Sequence, residues 1–279
     1  MTGIRRGPGI WLLAVLVECG IGASLPAAEQ PLMYRFRQEG SGGPVVVFEN
    51  GLGAGLATWN AVQDEASRFT ETFSYNRAGY DGSPAGSGTR DAATVVGELR
   101  ALLAERGLSP PYVLVGHSLG GLFMQYYARN FPDEVAGLVL VDSSHWDQLN
   151  RMRRAFPEVA ARAIEERNRS SGITGMESDA FDMTGREVSS SPPLRPMPFI
   201  VLSAGRQPEA TAPPSTGSNV RTRRGITVGF WLELQRELAG QLPEARHTIV
   251  RRSGHFIQLE QPQYVWAAVR DIVEDVRGQ

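Results

Sequence analysis

The chain has 279 residues, enough for one large domain with a sizeable core. At 42% hydrophobic and 21% charged residues it has an ordinary globular composition, and a formal net charge of −2 points to no nucleic-acid or acidic-substrate partner. All 28 basic residues are arginine, which excludes a Schiff-base lysine and a P-loop lysine, and the single cysteine, Cys19, excludes an intrachain disulfide framework and a multi-cysteine zinc site.

The N-terminus places Arg5 and Arg6 ahead of the apolar run Ile10–Val17, followed by small residues up to Ala28. That order is the pattern of a secretory signal peptide over residues 1–28, and it predicts export to the periplasm or medium. The apolar run is too short for a stable membrane span. Glu18 interrupts it, and Pro26 fits poorly at a cut after Ala28.

From residue 32 short apolar runs alternate with helix-like segments. This predicts an α/β domain over 29–279, with a mostly parallel sheet flanked by helices. Strands are expected at Leu32–Arg37, Val45–Glu49, Thr72–Asn76, Tyr112–Val115, Val135–Val141, Phe199–Ala204 and Thr248–Arg252. Helices are expected near Trp59–Phe69, from Asp91 as cap to about Arg106, and over Leu119–Asn130, Phe230–Gln241 and Pro262–Arg277. The Val135–Val141 run is apolar throughout, as suits a strand covered on both faces. Residues 143–198 break the rhythm: an arginine-rich helical stretch, Gln148–Arg169, gives way to Gly, Ser and Pro clusters. This predicts a cap or lid insertion. Gln207–Ser218 reads as a loop.

The sharpest motif is Gly116-His117-Ser118-Leu119-Gly120, set between a strand and a helix, the context that a G-x-S-x-G nucleophile elbow demands. Small residues two positions either side of the serine leave room for the backbone to cross. The turn lifts the hydroxyl clear of the sheet, and it sets the Leu119 N–H at a helix N-terminus, where it can bind a developing oxyanion. A second donor is expected from a glycine-rich loop after an earlier strand. Asn50-Gly51-Leu52-Gly53 is that loop, with the Leu52 N–H as donor. Of the four histidines, His117 sits in the elbow with its side chain expected to point away from the site. His247 begins a strand, and His145 follows one and could line a pocket. His255, in Ser253-Gly254-His255-Phe256 between the last strand and the last helix, is where a general base belongs.

Taken with Asn76-Arg77-Ala78-Gly79-Tyr80-Asp81-Gly82-Ser83, Val135–Asp142 and Ser253–Glu260, these motifs resemble those of the α/β-hydrolase superfamily, in its serine esterase-like branch with a cap. Asn50-Gly51 stands where that family usually has His-Gly, and Asn76 where it usually has aspartate. The Asn76–Ser83 segment reads as structural support near the site. The resemblance implies acyl transfer to water by Ser118 and His255, with no metal or other cofactor and a small-molecule ester as substrate. It argues against epoxide or haloalkane hydrolysis, whose enzymes carry aspartate in the elbow. It leaves the acid open. In most relatives the acid follows the strand at Phe199–Ala204, but there only Glu209 is acidic, one place later than expected. Asp142, at the end of Val135–Val141, is the leading candidate. A pocket of Leu52, Trp59, Leu119, His145 and Trp146 would suit a small, mostly apolar carboxylic ester. A peptidase, lactonase, carbon–carbon hydrolase or perhydrolase on the same fold, or a non-catalytic binding protein, are the competing readings.

Overall fold

The structure, a computed structural model, describes residues 34–206 and 228–278 with Ser87 excepted. The expected leader, Cys19, the Gln207–Ser218 loop and Glu209 lie outside those residues.

Seven strands form one sheet in the order β1-β3-β2-β4-β5-β6-β7. They are β1 (Phe36–Glu39), β2 (Val45–Glu49), β3 (Thr72–Tyr75), β4 (Tyr112–His117), β5 (Val135–Val141), β6 (Phe199–Ala204) and β7 (Arg246–Val250). Only β1 runs antiparallel, against β3; the other five pairings are parallel. The central strands are buried along their length, which is why they read as unbroken apolar runs. Parallel pairing in register puts the C-terminal ends of β2, β4, β5 and β6 side by side along one edge, where open α/β sheets bind ligands.

Helices cover both faces. On one, α2 (Ala92–Glu105) and α3 (Leu119–Asn130) bury Val95, Leu99, Leu103, Leu122 and Phe123 against Val47, Leu114 and Leu138. On the other, α1 (Asn60–Ala66) and the closing helix pack Val62, Val265, Val269 and Ile272 against Val46, Val113 and Val139. The Asp91 carboxylate accepts from Thr94 N at 2.9 Å and starts α2 as a side-chain cap.

Between β5 and β6 the chain makes four helices, α4 (Gln148–Ala155), α5 (Pro157–Arg169), α6 (Gly172–Asp179) and α7 (Phe181–Ser190). The single helical stretch expected at Gln148–Arg169 is broken at Phe156, ahead of Pro157, which has no N–H to continue it. The Gly and Ser content of 172–190 conceals α6 and α7 because packing overrides propensity there. Thr184 and Val188 are buried, and the bare Gly185 lets the backbone pass Trp146 O, where a Cβ would sit 2.4 Å away. The last elements are α8 (Val228–Ala239), α9 (Ile257–Glu260) and α10 (Pro262–Arg277). Strand β7 ends at Val250, two residues short of expectation, because Arg251-Arg252 already turn toward the loop that carries His255. Among the described residues no helix is long and apolar enough to cross a membrane.

Candidate active site

Ser118 occupies the bend between β4 and α3 at φ 53°, ψ −121°. Positive φ is strained for a residue with a side chain and persists only when its surroundings over-determine it. Here the strand fixes one side, with Ser118 N donating to Val141 O at 3.3 Å, and the helix the other, with Gly121 N donating to Ser118 O at 3.0 Å. Ser144 N also donates to Ser118 O, at 2.9 Å. Gly120 must be glycine: a Cβ there would stand 2.4 Å from Asn50 O.

The hydroxyl is aimed at an imidazole. Ser118 Oγ lies 3.0 Å from His255 Nε2, and His255 Nδ1 lies 2.6 Å from Asp142 Oδ2. An ionised carboxylate only accepts, so Nδ1 carries the proton and Nε2, unprotonated, faces the hydroxyl as an acceptor. The whole array is nearly closed to solvent: Ser118 is 6% exposed, Asp142 0% and the His255 side chain 8%. Asp142 too has positive φ, 42°, one residue past β5. Its backbone N donates to Leu202 O at 2.7 Å, and its Oδ1 accepts from Ala204 N at 2.9 Å and from Trp231 Nε1 at 2.6 Å. A buried carboxylate stays ionised only if its lone pairs are met in this way.

The glycine loop after β2 comes to the same point. A Cβ on Gly51 would lie 3.2 Å from Ser118 Cβ and 2.8 Å from His117 Nδ1, so the loop is pressed against the elbow. The N–H groups of Leu52 and Leu119 meet no acceptor among the described residues, although both residues are wholly or partly covered. Leu119 is the first residue of α3, whose opening N–H groups have no intrahelical partner.

Behind the loop is a buried ionic cluster. The five N–H bonds of Arg77 go to five acceptors: Glu49 Oε1 and Asn50 O from Nη1, Gly51 O and Glu177 Oε2 from Nη2, and Glu177 Oε1 from Nε, at 2.6–3.0 Å. Tyr75 OH donates to Glu49 at 2.5 Å and Tyr80 OH to Glu177 at 2.7 Å, while Gly53 N donates to Tyr80 OH at 3.1 Å. Burial pushes the Glu49 carboxyl above its ordinary range, against the pull of Arg77 and the Tyr75 hydroxyl. Two carbonyls of the glycine loop are thus fixed by Arg77, and α6 is tied to the loop through Glu177. The Asn76–Ser83 segment was expected to give structural support, and this is how it does so. No pattern in the sequence pointed to Glu177 or Trp231.

Three other expected pocket residues have their own packing partners. Trp59 is fully buried in the second core, its ring 5.1 Å from that of Phe48 and edge-on to His117, so it lines no open pocket. His145 and Trp146 stack on one another at 3.9 Å and turn toward α8: His145 Nε2 is 3.4 Å from Glu237, and Trp146 lines a shallow hollow with Glu233, Arg236 and Gln241. Burial, reinforced by Arg151, lowers the His145 pKa to about 4 and keeps it neutral. The side chain of His117 does not turn away from the site as expected. It packs 4.5 Å from the His255 ring, and Nε2 donates to His255 O at 3.0 Å, a brace made by the residue next to the serine.

A family profile described as alpha/beta hydrolase fold matches residues 44–178. The chain has the α/β-hydrolase fold. Among its relatives, an uncharacterized Bacillus subtilis protein, YqjL, is 25% identical over 84% of this chain and 85% of its own length. An "AB hydrolase superfamily protein" of Gibberella zeae is 26% identical over 84% and 87%. A solved thermophilic esterase from Thermogutta terrifontis superposes with a TM-score of 0.59 at 21% identity, covering 87% of this chain and 93% of that one. Likeness at that identity speaks for the hydrolase fold, and the chemistry must be argued from the side chains.

Proposed function

We propose that this α/β-hydrolase is a serine hydrolase that cleaves a small, mostly apolar carboxylic ester through an acyl-enzyme. The single observation that carries the reading is the line Ser118 Oγ–His255 Nε2–Asp142, at 3.0 and 2.6 Å, on a strained serine at a strand–helix bend. Ser118 attacks the acyl carbon as His255 takes its proton, and Asp142 stabilises the imidazolium that forms. Negative charge gathers on the former carbonyl oxygen, opposite the N–H groups of Leu52 and Leu119. Each such donor is worth roughly 3 kcal/mol. Collapse expels the alcohol, which takes the proton from His255. Water, activated by the same imidazole, then releases the acid.

The preference for apolar esters is supported by what borders the loop: Leu52 itself, and Thr174 and Ile173 of α6, which lie against Gly53 and Gly79. Reaction with a fluorophosphonate, mapped by mass spectrometry, should label Ser118. A panel of p-nitrophenyl esters of rising acyl length should show turnover that falls as the chain lengthens. An unlabelled Ser118 and no ester turnover would reject the reading in favour of a binding protein on this fold.

A further inference from the structure

We propose that Trp231 is a positioning residue of the Ser118–His255–Asp142 array, its indole N–H holding the Asp142 carboxylate in the orientation that serves His255. The inference rests on the serine-hydrolase reading above and adds a residue to it.

Asp142 is completely buried, and its two oxygens have different neighbours. Oδ2 faces His255 Nδ1 at 2.6 Å, while Oδ1 accepts from Ala204 N at 2.9 Å and from Trp231 Nε1 at 2.6 Å. With Oδ1 engaged from two directions the carboxylate cannot rotate about its Cβ–Cγ bond, and Oδ2 stays on the imidazole. The backbone donor comes with the fold, because Ala204 ends the strand beside β5. The indole is a choice of this sequence: phenylalanine would fill the space and donate nothing. Its hydrogen bond is to a charge, the stronger kind.

Trp231 itself is held on two sides. Gln235, one turn on along the same face of α8, donates from Nε2 to Ser143 O at 2.7 Å, beside Asp142. Another face of α8 meets α4: Arg151 makes a bidentate pair with Glu237 at 2.5 and 2.6 Å, and Phe230 packs edge-on against Phe156 at 5.2 Å. The helix that orients the acid is therefore fastened both to the end of β5 and to the first helix after it. An indole whose role was to fill space would need neither the carboxylate as its acceptor nor this second anchorage.

The test is Trp231→Phe in the full chain, with p-nitrophenyl butyrate as substrate and the rate normalised to serines titrated by the fluorophosphonate. That normalisation removes any change in folded fraction. The expected result is a kcat lower by about 10- to 100-fold, the cost of a lost charge-assisted hydrogen bond and of slight misplacement at the base. KM should stay within about twofold, since a group acting through Asp142 touches no substrate. In protein labelled with ¹⁵N-histidine, the low-field His255 Nδ1–H resonance should move or broaden. If the phenylalanine variant does not fold, β-(3-benzothienyl)alanine at position 231, which keeps the outline of the ring and lacks the N–H, replaces it. An unchanged kcat per titrated serine, or an unmoved resonance, overturns the proposal. Failure of the serine-hydrolase reading looks different: the unaltered protein would not be labelled at all, while the resonance would still report on whether the indole orients Asp142.

Discussion

Replacing Arg77 by methionine should unfold this protein more readily than almost any other single change outside the reacting groups. Met matches the length of the aliphatic stem and removes the guanidinium, whose five N–H bonds are all engaged. What remains is two carboxylates, Glu49 and Glu177, both at most 1% exposed, each left with a tyrosine hydroxyl and Glu49 also with the Asn50 N–H. Breaking a buried pair by removing one partner costs about 3–5 kcal/mol. For a domain of this size each kcal/mol lowers Tm by about 2–4 °C, so the melt should fall by roughly 6–20 °C at pH 8. The pH dependence carries the diagnosis. The folded pKa of Glu49 is already raised by burial, with Arg77 the main influence holding it down. A raised carboxyl contributes stability that is complete below its unfolded value, about 4.5, and lost as pH rises through the folded value. Without Arg77 the folded value climbs further and the loss covers a wider range. The deficit of the variant should therefore be smallest near pH 5 and grow toward pH 8. Calorimetric melts of both proteins across that range check it. A deficit under about 1 kcal/mol, or one equal at both ends of the range, would refute the view that Arg77 neutralises buried charge.

Ser118→Ala should keep the fold and melt of the parent and lose ester turnover by roughly a million-fold, with no fluorophosphonate label. Asp142→Asn should lower kcat about 10⁴-fold at near-parent stability, because an amide can hold His255 in the wrong tautomer. Gly120→Ala forces a Cβ to within 2.4 Å of Asn50 O, so it should cost about 1–3 kcal/mol in denaturant unfolding and depress activity by displacing the glycine loop. His145, with its pKa lowered to about 4 by burial and then by Arg151, stays neutral while the unfolded chain takes up its proton below about pH 6.5. Its contribution is present above that pH and lost as pH falls toward 4, so His145→Asn should flatten the decline of unfolding free energy over this window, measured by urea titration.

Most of the sheet was legible because its strands are buried on both faces and so appear as apolar runs with few competing readings. Val45–Glu49, Val135–Val141 and Phe199–Ala204 fall where the pattern puts them. The serine and the histidine were legible for a different reason. A strand–turn–helix bend requires small residues at fixed offsets, and a histidine that meets the serine must come from a loop at the same edge of the sheet, so local sequence encodes both. The surroundings of the large aromatic residues were not legible. Trp59 and Trp146 are large and apolar and stand near motif residues in the chain, but adjacency in sequence says nothing about which side of a sheet a ring occupies. Trp59 belongs to the core beneath β2, and Trp146 faces α8. Glu177 and Trp231 were invisible in principle: their meaning is a contact made across 100 residues with Arg77 and 89 with Asp142. The helices at 172–190 were missed because Gly175 and Gly185, poor helix formers, serve close packing there.

That the sequence offers two places for a carboxylate beside His255 has a physical origin in the sheet. Strands β5 and β6 are parallel neighbours, with Val141 opposite Leu202, so their C-terminal ends stand at one level before the loop that carries His255. A carboxylate leaving either strand can reach the same imidazole nitrogen, and the fold tolerates either origin. A sequence reading can therefore name two places and has no local reason to choose. Of the two places, the end of β5 lies among the described residues, and its Asp142 Oδ2 stands 2.6 Å from His255 Nδ1. Asp142, the residue after β5, has a positive φ of 42°. Aspartate bears that strain more readily than most residues. Ala204, at the end of β6, then supplies an N–H to the carboxylate from the neighbouring strand. One strand end delivers the carboxylate and its neighbour delivers a donor to hold it.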